Sequence, residues 1–433
     1  VDEPKSVRTG RTVLYIMNSV VLLTVDSLRA DNVSRECLQE SLAVLDDDYV
    51  MFNNAYSYGV ATPFAFPGII AGSHPVGNGN LPDDATTLAE GIPGDSTGYA
   101  NNGYLREERG YARGFTQYEE NPTIDGKGKI SFVDKVARRL QKIDVVRESD
   151  LAKTIYNQYL REPLPISSVP ADGMTELVKQ ELATESQEFV WGHWMDPHLP
   201  YHPDTAIDSP SDIPDLEELE DIKDRISEAD ASALSDEELK LSRELYDANV
   251  RYYDKHFAKL LRWMRTQPWY DDALIAVISD HGEYFGEHGQ LFHTWNIDPY
   301  DEAVHTPLWI KYPDQEDAGK SFDHVVGHGD VLTTVADTLA ENSLEPPRHT
   351  APLRETSGRH VVSVSNTAKR LTEDDGVYFT RRDGSKDEEG VVSDAGKEFV
   401  EAVAFPECQN SRGEALGVEE AERRRRLENL GYR

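Results

Sequence analysis

The run Leu274-Ile275-Ala276-Val277-Ile278-Ser279-Asp280-His281-Gly282-Glu283 decides the reading of this chain. A short unbroken apolar run reads as a strand buried on both faces. Here it delivers a carboxylate and an imidazole at its carboxyl end, where parallel α/β sheets place their ligands. A second stretch has the same design: Val20-Val21-Leu22-Leu23-Thr24-Val25, then Asp26-Ser27-Leu28-Arg29-Ala30-Asp31. Two strand ends, each delivering an acid, point to a metal held between distant parts of the chain.

Around these runs, apolar segments alternate with helical periodicity, the pattern of an α/β fold with a mostly parallel sheet flanked by helices. Strands are expected at Val20–Val25, Glu188–Trp194, Leu274–Ser279 and Pro307–Tyr312, with Gly98–Asn102 a further candidate. Helices are expected at Ser34–Leu45, Phe64–Ile70, Asp134–Leu140, Gly173–Leu182, Glu237–Met264 and Val331–Ala340. Asp204–Asp236, rich in acid and proline, reads as a surface insertion or lid on a catalytic domain spanning residues 1–345. Beyond it the pattern changes. Short alternating pieces at His360–Val364, Gly376–Thr380 and Phe399–Phe405 suggest a small antiparallel sheet, and Gly417–Leu430 a charged terminal helix. Residues 346–433 are therefore expected to form a C-terminal subdomain.

The 433 residues carry 44 Lys plus Arg against 79 Asp plus Glu, a formal net charge of −35. No basic footprint for nucleic acid or for an anionic membrane is present. Dispersed acidity in a chain patterned as globular reads as adaptation to very high salt, where screening suppresses self-repulsion. The alternative is an acidic mesophilic protein with a disordered acidic insert. Two cysteines, Cys37 and Cys408, exclude a disulfide framework and a thiolate zinc site. The apolar run Val13–Val25 contains Asn18 and Ser19 and is too short to span a bilayer. It reads as a core strand rather than a signal peptide, with a removed leader left open. No membrane span and a cytoplasmic location are expected, a cell-surface or membrane-proximal one being the alternative. The oligomeric state is not set by the sequence.

Asp26, Asp280 and His281 make a hard, mixed oxygen and nitrogen donor set suited to one divalent ion, Mn, Mg, Ca or Zn. Taken singly, Asp26 also reads as a helix N-cap and His281 as a hydrogen-bonded turn histidine. Thr62, followed by Pro63 at the start of an expected helix, reads as its N-cap. A hydroxyl there faces free N–H groups, and contact with a metal would lower its pKa and make it a nucleophile. Histidines crowd the remaining motifs, His193-Trp194-Met195-Asp196-Pro197-His198-Leu199-Pro200-Tyr201-His202 and Leu291-Phe292-His293-Thr294. Imidazoles around an anion site hold substrate oxygens or protonate a leaving group. His198 and His293 are expected to be functional, His193 and His202 less so.

In these residues the chain resembles, over most of its length, the sulfatase branch of the alkaline phosphatase superfamily. Val25–Asp31 looks like the family's first metal segment and Gly59–Pro75 like its nucleophile segment. Gly110-Tyr111-Ala112-Arg113-Gly114-Phe115 is similar to its Arg-Gly-Phe landmark, and Asp196–Tyr201 to its substrate-histidine loop. Ser279–Gly282 with Gly286–Gly289 resembles its second metal segment; Gly327–Val335 and the closing Arg426–Tyr432 also fit. The resemblance implies an alkaline-phosphatase-like sheet and a metal-dependent ester hydrolase.

One departure bears on the chemistry. Family sulfatases convert a Cys or Ser in a Cys/Ser-x-Pro-x-Arg motif into formylglycine. That position falls on Thr62 here, and Phe66 stands in place of the Arg, so no formylglycine is expected. Thr in this place resembles relatives that cleave phosphodiesters, or transfer phosphoethanolamine and phosphoglycerol, through a phospho-threonine. The family's second metal-binding acid is Ser27 here, as in single-metal relatives. By that resemblance Asp26, Thr62, Asp280 and His281 hold one metal. His293 stands where sulfatases carry a Lys.

The reading is a hydrolase or transferase of an anionic ester, with Thr62 as nucleophile and His198 and His293 on the substrate. The ester is a small molecule or is linked to a glycan or lipid. A sulfatase is the enzymatic alternative, and a non-catalytic metal-dependent binding protein on the same fold is the alternative from another class.

Overall fold

The computed structural model describes residues 19–406, apart from 34–36, 78, 121, 123–167, 185–186, 228–230, 340 and 356–358. The helix expected at Asp134–Leu140, the terminal helix at Gly417–Leu430 and Cys408 lie outside the described residues.

Among the described residues, nine strands form the main sheet: β1 (Val20–Val25), β2 (Val50–Tyr56), β3 (Asp95–Ala100), β4 (Gln117–Glu120), β5 (Gln187–Trp194), β6 (Leu274–Ser279), β7 (His305–Thr306), β8 (Leu308–Lys311) and β9 (Ser321–Gly327). Their order is β4-β3-β5-β1-β6-β8-β2-β7, with β9 on the other side of β2. β4, β3, β5, β1 and β6 run parallel. β8 is antiparallel to both β6 and β2, and β9 is parallel to β2. The mostly parallel α/β sheet expected from the sequence is present.

The apolar runs are buried on both faces, and the side-chain alternation of β1 shows how. Val21, Leu23 and Val25 join a core with helices α1 (Gln39–Asp48), α3 (Ala171–Leu182) and α5 (Asp236–Met264). Val20 and Leu22 join the opposite core with α2 (Thr62–Ala71) and α6 (Asp330–Thr338). A strand covered on both sides needs no polar alternation, which is why β1 and β6 read as continuous hydrophobic runs.

The described part of residues 204–236 carries regular structure. It contains a helix, α4 (Leu216–Ile226), capped by Asp215, whose Leu219, Ile222 and Ile226 are buried in the first core. Its acidic residues Glu217, Glu218 and Glu220 face solvent.

Among the described residues the antiparallel sheet near the end has four strands: β10 (Val361–Val364), β11 (Ala368–Glu373), β12 (Gly376–Arg381) and β13 (Lys386–Gly390). Phe399–Phe405, expected as a strand, is not one. Helix α7 (Asp394–Ala402) occupies its first part, with Ser393 accepting a hydrogen bond from Gly396 N. The cap and an apolar stripe of Phe399, Val400 and Val403 on the sheet win over the short apolar run.

Candidate metal centre and active site

β3, β5, β1 and β6 are neighbours and parallel, so their carboxyl ends share one edge of the sheet. In register, Val25 of β1 stands between Trp194 of β5 and Ser279 of β6. Asp26 and Asp280, each the next residue, therefore emerge side by side. Asp26 N donates to Trp194 O at 2.8 Å and Asp280 N to Val25 O at 3.1 Å. The turn after β6 needs Gly282, because a Cβ there would sit 2.0 Å from Glu302 O.

Thr62 arrives from elsewhere, as the first residue of the fully buried helix α2. The expectation that its side chain caps the helix is corrected. Ala61 is the N-cap, and Thr62 Oγ1 turns to the sheet edge instead. It lies 3.2 Å from Asp26 Oδ2, 3.3 Å from His281 Nε2 and 3.3 Å from Asn102 Nδ2. Asp26 itself is no helix cap: it sits at 0% exposure, and the nearest helical turn after it is only the three residues Ala30–Asn32.

Asp280 is also at 0% exposure; its Oδ1 accepts from Ser27 N and His281 N, at 3.2 and 2.8 Å. Its Oδ2 is buried and accepts no hydrogen bond. His281 Nδ1 lies 2.8 Å from Gly282 O, which places the ring hydrogen there and leaves Nε2 with its lone pair. That nitrogen, an acceptor for Thr62 Oγ1, stands 3.5 Å from Asp280 Oδ2 and 3.6 Å from Asp26 Oδ1. An orphaned carboxylate oxygen facing two further acceptors in a buried site is the arrangement a divalent cation satisfies. The residues present therefore fit a hard divalent ion.

The electrostatics agree. Burial raises Asp26, but His198, His193 and His281 outweigh it and hold the carboxyl well below its usual range. Burial, and then the Asp26 charge, push Asp280 well above its own. Two adjacent buried carboxylates do not both ionise without a cation between them. Burial also lowers His281 and, with His281 and His198 adding repulsion, His293. Among the described residues two groups can hold an ion, Asp26 with His281 and His293, and Asp26 with His193 and Asp280, their atoms within 4.8 Å of one another.

A model of the family described as Sulfatase matches residues 18–340. The chain belongs to the sulfatase family. This is a family of metal-dependent hydrolases of anionic esters, and solved structures of lower identity share the fold. The chain superposes on phosphonate monoester hydrolase of Agrobacterium radiobacter with a TM-score of 0.60 at 15% identity, covering 95% of each chain. The lipoteichoic acid synthase LtaP of Listeria monocytogenes gives 0.56 at 13% identity, covering 94% of this chain and 92% of that one. A choline-sulfatase of Rhizobium meliloti (strain 1021) is 31% identical over 80 residues, 18% of this chain and 15% of that protein's length.

In this sulfatase-family chain the fold brings Thr62 against Asp26 and His281, and His281 against Asp26 and Asp280. His198, on the loop after β5, is half-buried with Nδ1 on Leu199 O, and its ring lies 4.9 Å from that of His293. The His293 ring lies 4.3 Å from His281. His202 turns away and accepts from Asp204 N. His193, given little weight from the sequence, sits with Nε2 3.2 Å from Asp26 Oδ2 and Nδ1 2.9 Å from Thr24 Oγ1.

Three further residues carry the site. Ser27 adopts a left-handed backbone at φ 59°, held by Tyr246 OH donating to its carbonyl; its hydroxyl donates to Asp26 Oδ1 at 2.8 Å. Glu283, in the turn after β6, is fully buried, and both its oxygens lie 3.1 Å from His293 Nδ1. Burial pushes Glu283 up to about 8 even though His198, His281 and Tyr201 OH act to lower it. Its effect is to hold the His293 ring by Nδ1. Asn102, two residues past β3, donates to Asp26 Oδ2 at 2.8 Å. An asparagine after a strand reads as a turn residue, so only the fold reveals what it faces.

Proposed function

We propose that the protein is a metal-dependent hydrolase or transferase that cleaves a phosphodiester, a phosphonate ester or a phosphomonoester through a covalent Thr62 intermediate. The observation that carries this reading is the position of Thr62 Oγ1, within 3.3 Å of both Asp26 and His281. Cys37 is buried against Arg251, far from this cluster in its contacts. Thr62 itself is not a formylglycine precursor, which supports phosphoryl over sulfuryl chemistry.

Asp26, Thr62, Asp280 and His281 would hold one divalent ion, which supplies Lewis-acid charge to the nucleophilic oxygen and the phosphoryl group. Thr62 Oγ1 forms a bond to phosphorus as the bond to the leaving oxygen breaks with its electron pair. The hydroxyl proton departs along the hydrogen bond to Asp26 Oδ2. His198 and His293 meet the non-bridging oxygens, and His198 gives the leaving oxygen a proton. Water, or an acceptor alcohol, then attacks the same phosphorus. The bond to Thr62 Oγ1 breaks with its electron pair returning to oxygen, Thr62 regains its proton from Asp26 Oδ2, and the proton lost by the attacking group replaces the one His198 gave to the leaving oxygen. The ester is a small molecule or is linked to a glycan or lipid.

A sulfuric ester is the second reading, favoured by the family match and by the choline-sulfatase relative. Initial rates on nitrophenyl sulfate, phosphate, phosphodiester and phosphonate ester, with Mn in molar KCl and beside Thr62→Ala, separate the two. Phosphoester turnover that disappears in Thr62→Ala is expected. Sulfate turnover that survives the substitution sinks the Thr62 nucleophile, and silence on all four esters moves weight to a specialised transferase or a binding protein.

A further inference from the structure

We infer that Asn102 is a catalytic residue of this site, whose side-chain amide orients Thr62 Oγ1 and stabilises the charge on that oxygen when its bond to phosphorus breaks. The inference rests on the Thr62 nucleophile proposed for this site.

Asn102 is 7% exposed. Its Oδ1 accepts from Tyr104 N at 2.9 Å, which fixes which end of the amide is oxygen. Nδ2, with two hydrogens, therefore points into the site, 2.8 Å from Asp26 Oδ2 and 3.3 Å from Thr62 Oγ1. Its neighbour gives the contrast. Asn101 spends both ends of its amide on the backbone of Val169, at 2.8 and 2.9 Å, and is a purely architectural residue. A turn would need only the Asn102–Tyr104 bond. The two hydrogens aimed at a proposed ligand and at the proposed nucleophile do nothing for the turn.

The chemistry comes from the donor inventory. An amide NH2 only donates and does not titrate. Thr62 Oγ1 must therefore present a lone pair to Asn102, which steers its own hydrogen toward Asp26 Oδ2 or His281 Nε2. In the first step the other lone pair of Oγ1 bonds phosphorus, and the leaving oxygen departs with the electrons of its bond. In the second step water bonds phosphorus and the electron pair of the P–Oγ1 bond returns to Oγ1. A fixed donor at that atom, in a buried site, stabilises the returning charge without reorganising. Met195 Sδ, 3.6 Å from Nδ2, packs beside the amide.

The test compares Asn102→Ala, Asn102→Asp and Thr62→Ala, each loaded with Mn. Asn102→Asp keeps the shape and the acceptor for Tyr104 N but removes both donors, so it covers the case in which the alanine variant fails to fold. Bound Mn per chain, the thermal midpoint, kcat and KM on a nitrophenyl phosphodiester, and the affinity for orthovanadate are read. Both Asn102 variants are expected to keep Mn, with KM near wild type, while kcat and vanadate affinity fall on the order of 100-fold. Wild-type kcat and vanadate affinity in the Asn102 variants, with both lost in Thr62→Ala, overturn the role of Asn102 alone. So does a kcat loss that excess Mn restores, since Asn102 would then only hold Asp26. Vanadate bound equally by Thr62→Ala, or not bound by wild type, overturns the nucleophile and Asn102 together.

Discussion

Asp280 Oδ2 lies 3.5 Å from His281 Nε2, and Asp280 Oδ2 is buried with no hydrogen bond of its own. Such a pair costs stability until a cation sits between the two atoms. Mn or Zn is therefore expected to raise the thermal midpoint and EDTA to lower it. At a metal concentration about 100 times Kd the gain is about 2.7 kcal/mol. Asp280→Asn should abolish the response and change the metal-free midpoint little, because without a cation burial and the Asp26 charge already keep the Asp280 carboxyl protonated. A midpoint indifferent to Mn, Zn and EDTA in the wild type would remove the metal from the reading.

Arg29 locks the loops after β1 and β6 together. It is 6% exposed, grips Asp31 with two nitrogens, and donates through Nη1 to Glu283 O and Glu287 Oε1, at 2.9 and 2.8 Å. Arg29→Leu strips the Glu283 carbonyl of this donor and takes the guanidinium away from Asp31 and Glu287, and should cost about 3 kcal/mol. Arg29→Lys should recover only part, since an ammonium cannot make the two-nitrogen contact. Urea melts in excess Mn measure both. A Lys variant as stable as wild type contradicts the geometric argument.

How much of this was legible depends on burial. β1 and β6 were expected over the residues they occupy, because a strand covered on both faces is written as an uninterrupted apolar run. β2 and β9 were not expected. They interleave Asn53, Asn54, Asp323 and His324 with apolar residues and lie toward the less covered side of the sheet. The acids at the strand ends stand out because charge after an apolar run is rare. Asn102, Glu283 and Ser27 do not. Their roles come from what lies across the sheet edge, and no local pattern encodes a partner that is 40 or 253 residues away, as for Asn102–Thr62 and Ser27–Asp280.

His74 sets part of the acid limit of stability. Its ring stacks on Tyr58 at 4.4 Å and 3°, and its Nε2 is buried without a partner. Burial, with repulsion from His349 second, pulls it down to about 3. An imidazole in the unfolded chain titrates near 6.5. The unfolded state therefore binds more protons between those values. The stabilisation is complete above about 6.5 and is lost as pH falls toward 3, with a slope of at most about 1.4 kcal/mol per pH unit. His74→Phe keeps the stack and removes the proton, so its thermal midpoint should fall less steeply below pH 6.5. Parallel acid limbs for the two proteins contradict this.

The net charge of −35 makes a prediction about salt. Adjacent acids are pressed together on the surface. Burial, and then Asp47, raise Asp46; Glu217, Glu218 and Glu220 line the exposed side of α4. The screening length shrinks from about 10 Å at 0.1 M salt to about 3 Å at 1 M. Repulsion between neighbouring side chains therefore survives the lower concentration and is suppressed at the higher one. The thermal midpoint is expected to climb steadily between these concentrations of KCl. Potassium chloride has little of the surface-exclusion effect of sulfate, so a gain in KCl reports screening rather than a general strengthening of apolar burial. Replacing Glu217 and Glu220 by Lys should raise the midpoint in low salt and flatten its climb, because the exposed side of α4 then repels less. A wild-type midpoint that does not move with KCl would mean that the acids are spaced well enough to coexist in dilute buffer, and high-salt adaptation would have to be dropped.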